Sequence, residues 1–230
     1  MALEDGGVEV ATAGAVDPDG STMRDQLIVF AREIGVLYSA ERTRSRELER
    51  ALERAREMYM ATMKSLAQVV EAKDPTTRGH LDRTAHYGLA LTRRVDPALA
   101  ARPEVAYGFF LHDIGKVGIP ESILCKSGPL NELEWIVMRS HPHVGAKIVE
   151  PIPFMGDAVE IVRSHHERYD GSGYPRGLRG EEIPVGARIF AIADAFDAMT
   201  SDRPYRRALP LDEAVDRIVA GAGTQFDPEC

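Results

Sequence analysis

At 230 residues, with 44% hydrophobic and 28% charged side chains, the chain is long enough to fold around one well-filled core plus an appendage, and no apolar run approaches the roughly 18 residues of a membrane span. A formal net charge of -8 excludes broad binding of nucleic-acid polymers, so any anionic ligand must be small and held by a local cluster of positive charge. The two cysteines, Cys125 and Cys230, form no CxxC pair or disulfide framework. No basic segment with an apolar core opens the chain, and a cytoplasmic setting is the expectation.

Residues 1–22, rich in Gly, Ala, Asp and Val without sustained periodicity, read as a disordered leader. The character changes over residues 23–72, which hold no Pro and only Gly35. Leu27, Phe30, Ile34 and Leu37, then Leu48, Leu52, Tyr59, Met63, Leu66 and Val70, recur at helical spacing, with a polar interval near Glu41 and Arg44. A single helix of this length runs about 75 Å, more than a small domain can cover. A solvated charged helix is one reading, and a parallel two-stranded coiled coil that dimerises the protein and relays a signal is the other.

Residues 73–230 form the remaining domain. Asp74-Pro75-Thr76-Thr77 breaks the pattern and starts a helix carrying His80, Arg83 and Tyr87. A run from Pro103 to Leu111 leads into His112 and Asp113. Asn131 with Glu134 predicts a capping box, on a helix from Glu132 to Ser140 that delivers His141. Gly156 to Ser164 ends in His165 and His166, and an apolar helix from Arg188 to Met199 carries Asp194. Helical patterns follow one another with almost no alternating run, so the expected fold class is all-α, a helical bundle with a long N-terminal helix.

His80, His112, Asp113, His141, His165, His166 and Asp194 interrupt or end helices whose other faces are apolar, so a bundle turns them inward together. These imidazoles and carboxylates exceed what one ion needs. They suit two metals with Asp113 as the bridge, where a shared water is acidic enough to attack phosphorus. Nitrogen and oxygen ligands without thiolate admit iron, manganese, nickel or zinc. His86 and His143 are read as exposed or locally hydrogen-bonded.

The ordered strings His112-Asp113-Ile114-Gly115-Lys116, His141, His165-His166-Glu167-Arg168, Asp170-Gly171-Ser172-Gly173-Tyr174-Pro175, Asp194 and Asp202-Arg203-Pro204-Tyr205-Arg206 resemble the HD-GYP family, a branch of the HD-domain metal-dependent phosphohydrolases. The resemblance covers about Asp74 to Pro228. It implies a helical HD fold and a phosphodiesterase acting on the bacterial second messenger cyclic di-GMP, giving linear pGpG and, if both steps run, GMP. Two divalent ions are implied, iron or manganese ahead of nickel or zinc. It assigns the seven candidates above as ligands, Lys116 as a catalytic contact to a phosphate or the leaving oxygen, and Tyr174, Arg203 and Arg206 as substrate-binding residues.

Two departures stand out. Where some members carry a glutamate for a third metal this chain has Thr76, so two metals and hydrolysis stopping at pGpG are expected. Family domains usually continue in helix beyond Gly223 to Pro228, whereas this chain ends at Cys230, the pattern of a domain truncated at its C-terminus. Two alternatives remain: an HD hydrolase of another nucleotide, and a signalling module that dimerises and recruits a partner chain with weak catalysis. No P-loop, HExxH or Rossmann fingerprint competes.

Overall fold

The structure, a computed structural model, describes residues 21–74, 79–202 and 207–230. The leader therefore lies almost wholly outside the described residues, as do Thr76, Arg203 and Arg206. The chain divides into two units, Met1–Arg56 and Glu57–Cys230. Among the described residues there is no strand, and the all-α expectation holds.

The long helix, α1, runs unbroken over Ser21–Glu71, 51 residues. The polar interval at Glu41 and Arg44 does not interrupt it, because Glu and Arg are good helix formers and only the apolar face is lost there. Thr43, Thr62 and Ser65 turn their hydroxyls onto the carbonyl one turn back, which keeps short polar side chains from competing with the helix. In the first unit Leu27, Phe30, Ile34, Leu37, Leu48 and Leu52 are all exposed.

In the second unit the last turns of α1 lie in the core: Met63, Ala67 and Val70 are buried with Leu81, Tyr107 and Val162. The unit thus begins before residue 73, taking in the end of the long helix. The helices that follow are α2 (His80–Val95), α3 (Pro97–Ala100), α4 (Pro103–Leu111), α5 (Glu121–Leu124), α6 (Glu132–Met138), α7 (His141–Val149), α8 (Gly156–Ser164), α9 (Val185–Thr200) and α10 (Leu211–Ala220). Helix α4 lies on α8 and α2 on α9. Between these pairs Phe109 and Phe190 stack at 4.8 Å, and Phe190 continues beneath the His112 ring, 4.7 Å away. The core therefore ends in the floor of the polar site.

Two local outcomes differ from the sequence reading. Helix α9 starts a turn earlier than Arg188, directly after Pro184. And α6 stops at Met138, so that His141 opens α7 instead of following the end of α6 directly. Pro142 is the reason, since it has no N–H for the Met138 carbonyl and favours the first turn of a new helix. The freed carbonyl is taken by the His141 ring, Nδ1 to Met138 O at 2.9 Å. The capping box forms as expected, with Asn131 Oδ1 accepting from Glu134 N at 2.9 Å and Glu134 Oε2 accepting from Asn131 N at 2.7 Å.

A 3-10 turn over Ile114–Gly118 carries the chain from His112 and Asp113 against α7. Here Gly115 is required by close approach: a Cβ on it would lie 1.9 Å from the His141 carbonyl oxygen and 2.5 Å from Gly145 N, both backbone atoms. Gly115→Ala is expected to destabilise the domain by about 3 kcal/mol or more, because neither backbone can yield without moving a histidine. Urea unfolding checks this, and a midpoint shift worth under about 1 kcal/mol would show that the contact relaxes freely.

Candidate metal centre

Helix ends aim most of the donors. His112 and His165 each sit just past a helix C-terminus and donate Nδ1–H to the carbonyl three residues back, Phe109 O and Val162 O, both at 2.9 Å; His141 does the same to Met138. One hydrogen-bond pattern used three times fixes one tautomer, so each Nε2 faces inward as a bare lone pair. His141 Nε2 and His165 Nε2 stand 3.3 Å apart.

Helix α2 contributes His80 from its first residue and α9 contributes Asp194 across from it, with Nε2 to Oδ1 at 3.3 Å. The other nitrogen of His80 donates to Asp197 Oδ2 at 2.7 Å, and Arg83 grips the same carboxylate from Nε at 2.5 Å and Nη2 at 3.2 Å. Asp197 is almost fully buried. A histidine held by a carboxylate in this way is the usual outer support of a metal ligand.

Asp113 lies between the two halves. Its Oδ1 is 3.3 Å from His141 Nε2 and its Oδ2 3.3 Å from His112 Nε2. Lys116 Nζ reaches Asp113 Oδ2 at 2.8 Å and Asp74 Oδ2 at 3.0 Å. The seven residues fall into two groups whose donor atoms lie within 4.8 Å of one another: Asp113, His141, His165 and His166, and His80, His112 and Asp194. His86 and His143 are exposed and belong to neither.

The electrostatics suit cations. Burial alone would raise the Asp113 carboxyl, but the Lys116 ammonium beside it outweighs burial and holds it well below the usual carboxylate range. Burial likewise works against Lys116, yet Asp113 and Asp74 push the ammonium above its ordinary value. Burial, reinforced by neighbouring histidines, lowers His141, His165 and His166, the last to about 3, so these imidazoles are neutral, as ligation requires. His80 is the exception: burial lowers it, but hydrogen bonds to Asp194 and Asp197 win and raise it to about 9. The donor set passes a further test of fit: His112 Nε2 is buried with no hydrogen-bond partner among the described residues. Leaving such an atom bare is costly, and a cation facing it would satisfy it.

Tyr174 stands at the rim, its ring 4.8 Å from that of His166. Burial, with Asp113 nearby, pushes the phenol above its ordinary value, so it remains an O–H donor. The loop that carries it is held from beneath by Glu167, buried, with Oε1 accepting from Arg176 N at 2.8 Å and Oε2 from Leu178 N at 3.1 Å. A Cβ on Gly173 would meet Arg168 N at 2.3 Å, so only glycine lets the loop lie this close to the His165-His166 segment. Asp170 N donates to Thr224 O at 2.8 Å, joining the loop to the Gly223–Pro228 turn. A cleft of about 550 Å³ opens beside His166, Tyr174 and Asp194, lined also by Gln225 and Arg217.

Sequence reasoning did not assign Asp197 or Asp74. Asp197 and Asp74 were detectable only as acids close to histidine-bearing segments. Glu71, the last residue of α1, accepts from Leu81 N at 3.3 Å.

The family model for the HD domain matches residues 64–230. A probable cyclic di-GMP phosphodiesterase of Vibrio cholerae serotype O1 is 40% identical over 201 residues, covering 80% of this chain and 44% of that protein. The cyclic di-GMP phosphodiesterase response regulator RpfG of Xanthomonas campestris pv. campestris is 40% identical over 171 residues, 74% of this chain and 45% of that protein. A 3'3'-cGAMP-specific phosphodiesterase 3 of Vibrio cholerae is 38% identical over 72% of this chain and 36% of that protein. Among solved structures, the HDGYP protein Bd1817 of Bdellovibrio bacteriovorus shares the fold with a TM-score of 0.53 at 22% identity, over 74% of this chain and 57% of that one. The chain belongs to the HD-domain family, in its HD-GYP branch. It spans less than half the length of these curated relatives.

Proposed function

We propose that the chain is a metal-dependent phosphodiesterase of cyclic di-GMP, yielding pGpG. The observation that carries this reading is the pair of histidine and aspartate groups meeting at Asp113, beside an ordered Gly173-Tyr174-Pro175 loop and a cleft large enough for a nucleotide. His80, His112 and Asp194 would hold one divalent ion and His141, His165 and His166 the other, with Asp113 shared; iron or manganese leads, ahead of nickel or zinc. When bound, such ions acidify water and stabilise charge developing on phosphorus.

The chain's own residues supply the rest. Lys116, kept charged by Asp74 and Asp113, offers its ammonium to a phosphate oxygen or the leaving oxygen. Tyr174 donates its O–H at the rim, and Arg203 and Arg206 grip the substrate's phosphates. The Nδ1 bonds keep the ligand rings from rotating as substrate enters. We also propose a parallel homodimer through α1, supported by its exposed leucines, with a signalling partner feeding that helix, and a cytoplasmic setting, supported by two free cysteines. Among the described residues no helix is long and apolar enough to cross a membrane.

Anaerobic incubation of the iron- or manganese-loaded protein with cyclic di-GMP, followed by chromatography, tests the reading. Accumulating pGpG that disappears in the His112→Ala, Asp113→Ala variant is the expected result. Metal-loaded protein that binds the nucleotide but never cleaves it would sink the enzymatic reading in favour of an interaction module. Because relatives named for 3'3'-cGAMP match almost as well, that dinucleotide belongs in the same panel. A faster rate on it would reassign the substrate.

A further inference from the structure

Arg139 caps the C-terminus of α6, its N–H on Trp135 O at 2.9 Å, which places its side chain one helical turn beyond Trp135. Its guanidinium carbon lies 5.5 Å from the centroid of the Trp135 ring and 5.4 Å from that of Tyr174. The Tyr174 ring in turn lies 4.8 Å from that of His166, tilted against it; His166 is one of the clustered donors. A layered series therefore leads outward from the metal centre: imidazole, phenol, guanidinium, indole.

Among the described residues Arg139 has no carboxylate partner, in a chain of net charge -8. Contact with aromatic rings orients a guanidinium without using the N–H donors that lie in its plane. Those donors match the paired oxygens of a phosphate. An exposed, ring-held arginine at the rim is thus preorganised for an anion arriving from solvent.

A cyclic dinucleotide carries two phosphodiesters, and only one can be attacked at the histidine and aspartate groups at a time. We propose that Arg139 is a substrate-binding residue that takes the second, uncleaved phosphodiester, one aromatic layer out from His166; this rests on the cyclic-dinucleotide reading above. Its role is then to select ligands with two phosphates over simple phosphodiesters, by binding and not by chemistry.

The test compares wild type, Arg139→Ala and Arg139→Lys in metal-loaded form on cyclic di-GMP, 3'3'-cGAMP and bis(p-nitrophenyl) phosphate, which has one phosphate. Losing a charge-assisted contact should raise KM for the cyclic dinucleotide about tenfold or more in Arg139→Ala, with kcat within about twofold. Turnover of bis(p-nitrophenyl) phosphate and metal content should not change, and Arg139→Lys should recover part of the KM. An unchanged KM overturns the proposal, as does an equal loss on all three substrates, which would make Arg139 a support for Tyr174. If wild type cleaves bis(p-nitrophenyl) phosphate but no cyclic dinucleotide, the substrate reading fails and this inference fails with it.

Discussion

Replacing Asp113 with asparagine is expected to lower kcat on a phosphodiester by about a thousandfold or more, a barrier increase of about 4 kcal/mol. The carboxylate touches both donor groups, Oδ1 near His141 and Oδ2 near His112, and is ion-paired to Lys116. Asparagine nearly matches its shape but removes the charge and turns an N–H donor toward either a cation or an imidazole lone pair. Asp194 would then be the one carboxylate left among the seven candidate donors, too little negative charge for two divalent ions, so bound metal is expected to fall to one equivalent or fewer. Elemental analysis after gel filtration reads this independently of activity. Two equivalents of metal retained with kcat within tenfold of wild type would show that Asp113 does not join the two groups. The shape-matched variant matters because Asp113→Ala also takes from Lys116 one of the two carboxylates it is ion-paired to, leaving Asp74.

The second large effect is structural. Glu167→Ala should unfold the Tyr174 loop without touching a candidate ligand, because Glu167 is buried and both of its oxygens accept main-chain N–H groups, from Arg176 and Leu178. Truncation removes two hydrogen bonds to a carboxylate, each worth about 1.5 kcal/mol, for a total of about 3 kcal/mol. In a domain of this size that lowers Tm by about 6–12 °C. Glutamine restores one acceptor and sets an N–H against the other donor, so Glu167→Gln should fall between wild type and alanine. Thermal unfolding and limited proteolysis between Arg168 and Arg179 check both variants. A wild-type Tm with an intact loop would mean that the Gly223–Pro228 turn, through Asp170 N and Thr224 O, holds the loop unaided.

The helical class, the long unbroken helix and the Asn131 capping box were legible in the sequence, because each is a local pattern of apolar spacing or cap chemistry; the seven candidate donors could be named there by residue type, and the structure gathers them into two groups. His86 and His143, read from the sequence as exposed or locally hydrogen-bonded, stand exposed. The break before His141 was written in Pro142, yet its consequence, a carbonyl taken by an imidazole, depends on where the ring falls once α7 has turned.

Other features needed the tertiary structure, because they join residues far apart in the chain. Asp197 meets His80 and Asp74 meets Lys116 only after α9 lies on α2 and the end of α1 enters the core. Nothing in a window of sequence distinguishes either acid from a solvated one. The pairing of Gly115 with the His141 backbone is of the same kind, a demand for space that arises when two segments cross. Arg139 is the clearest case: Trp135 lies one helical turn away and could be read, but Tyr174 comes from a loop that Glu167 pins in place. Local chemistry thus determined which residues were available for the site, and the packing of distant helices decided how those residues were oriented, charged and supported.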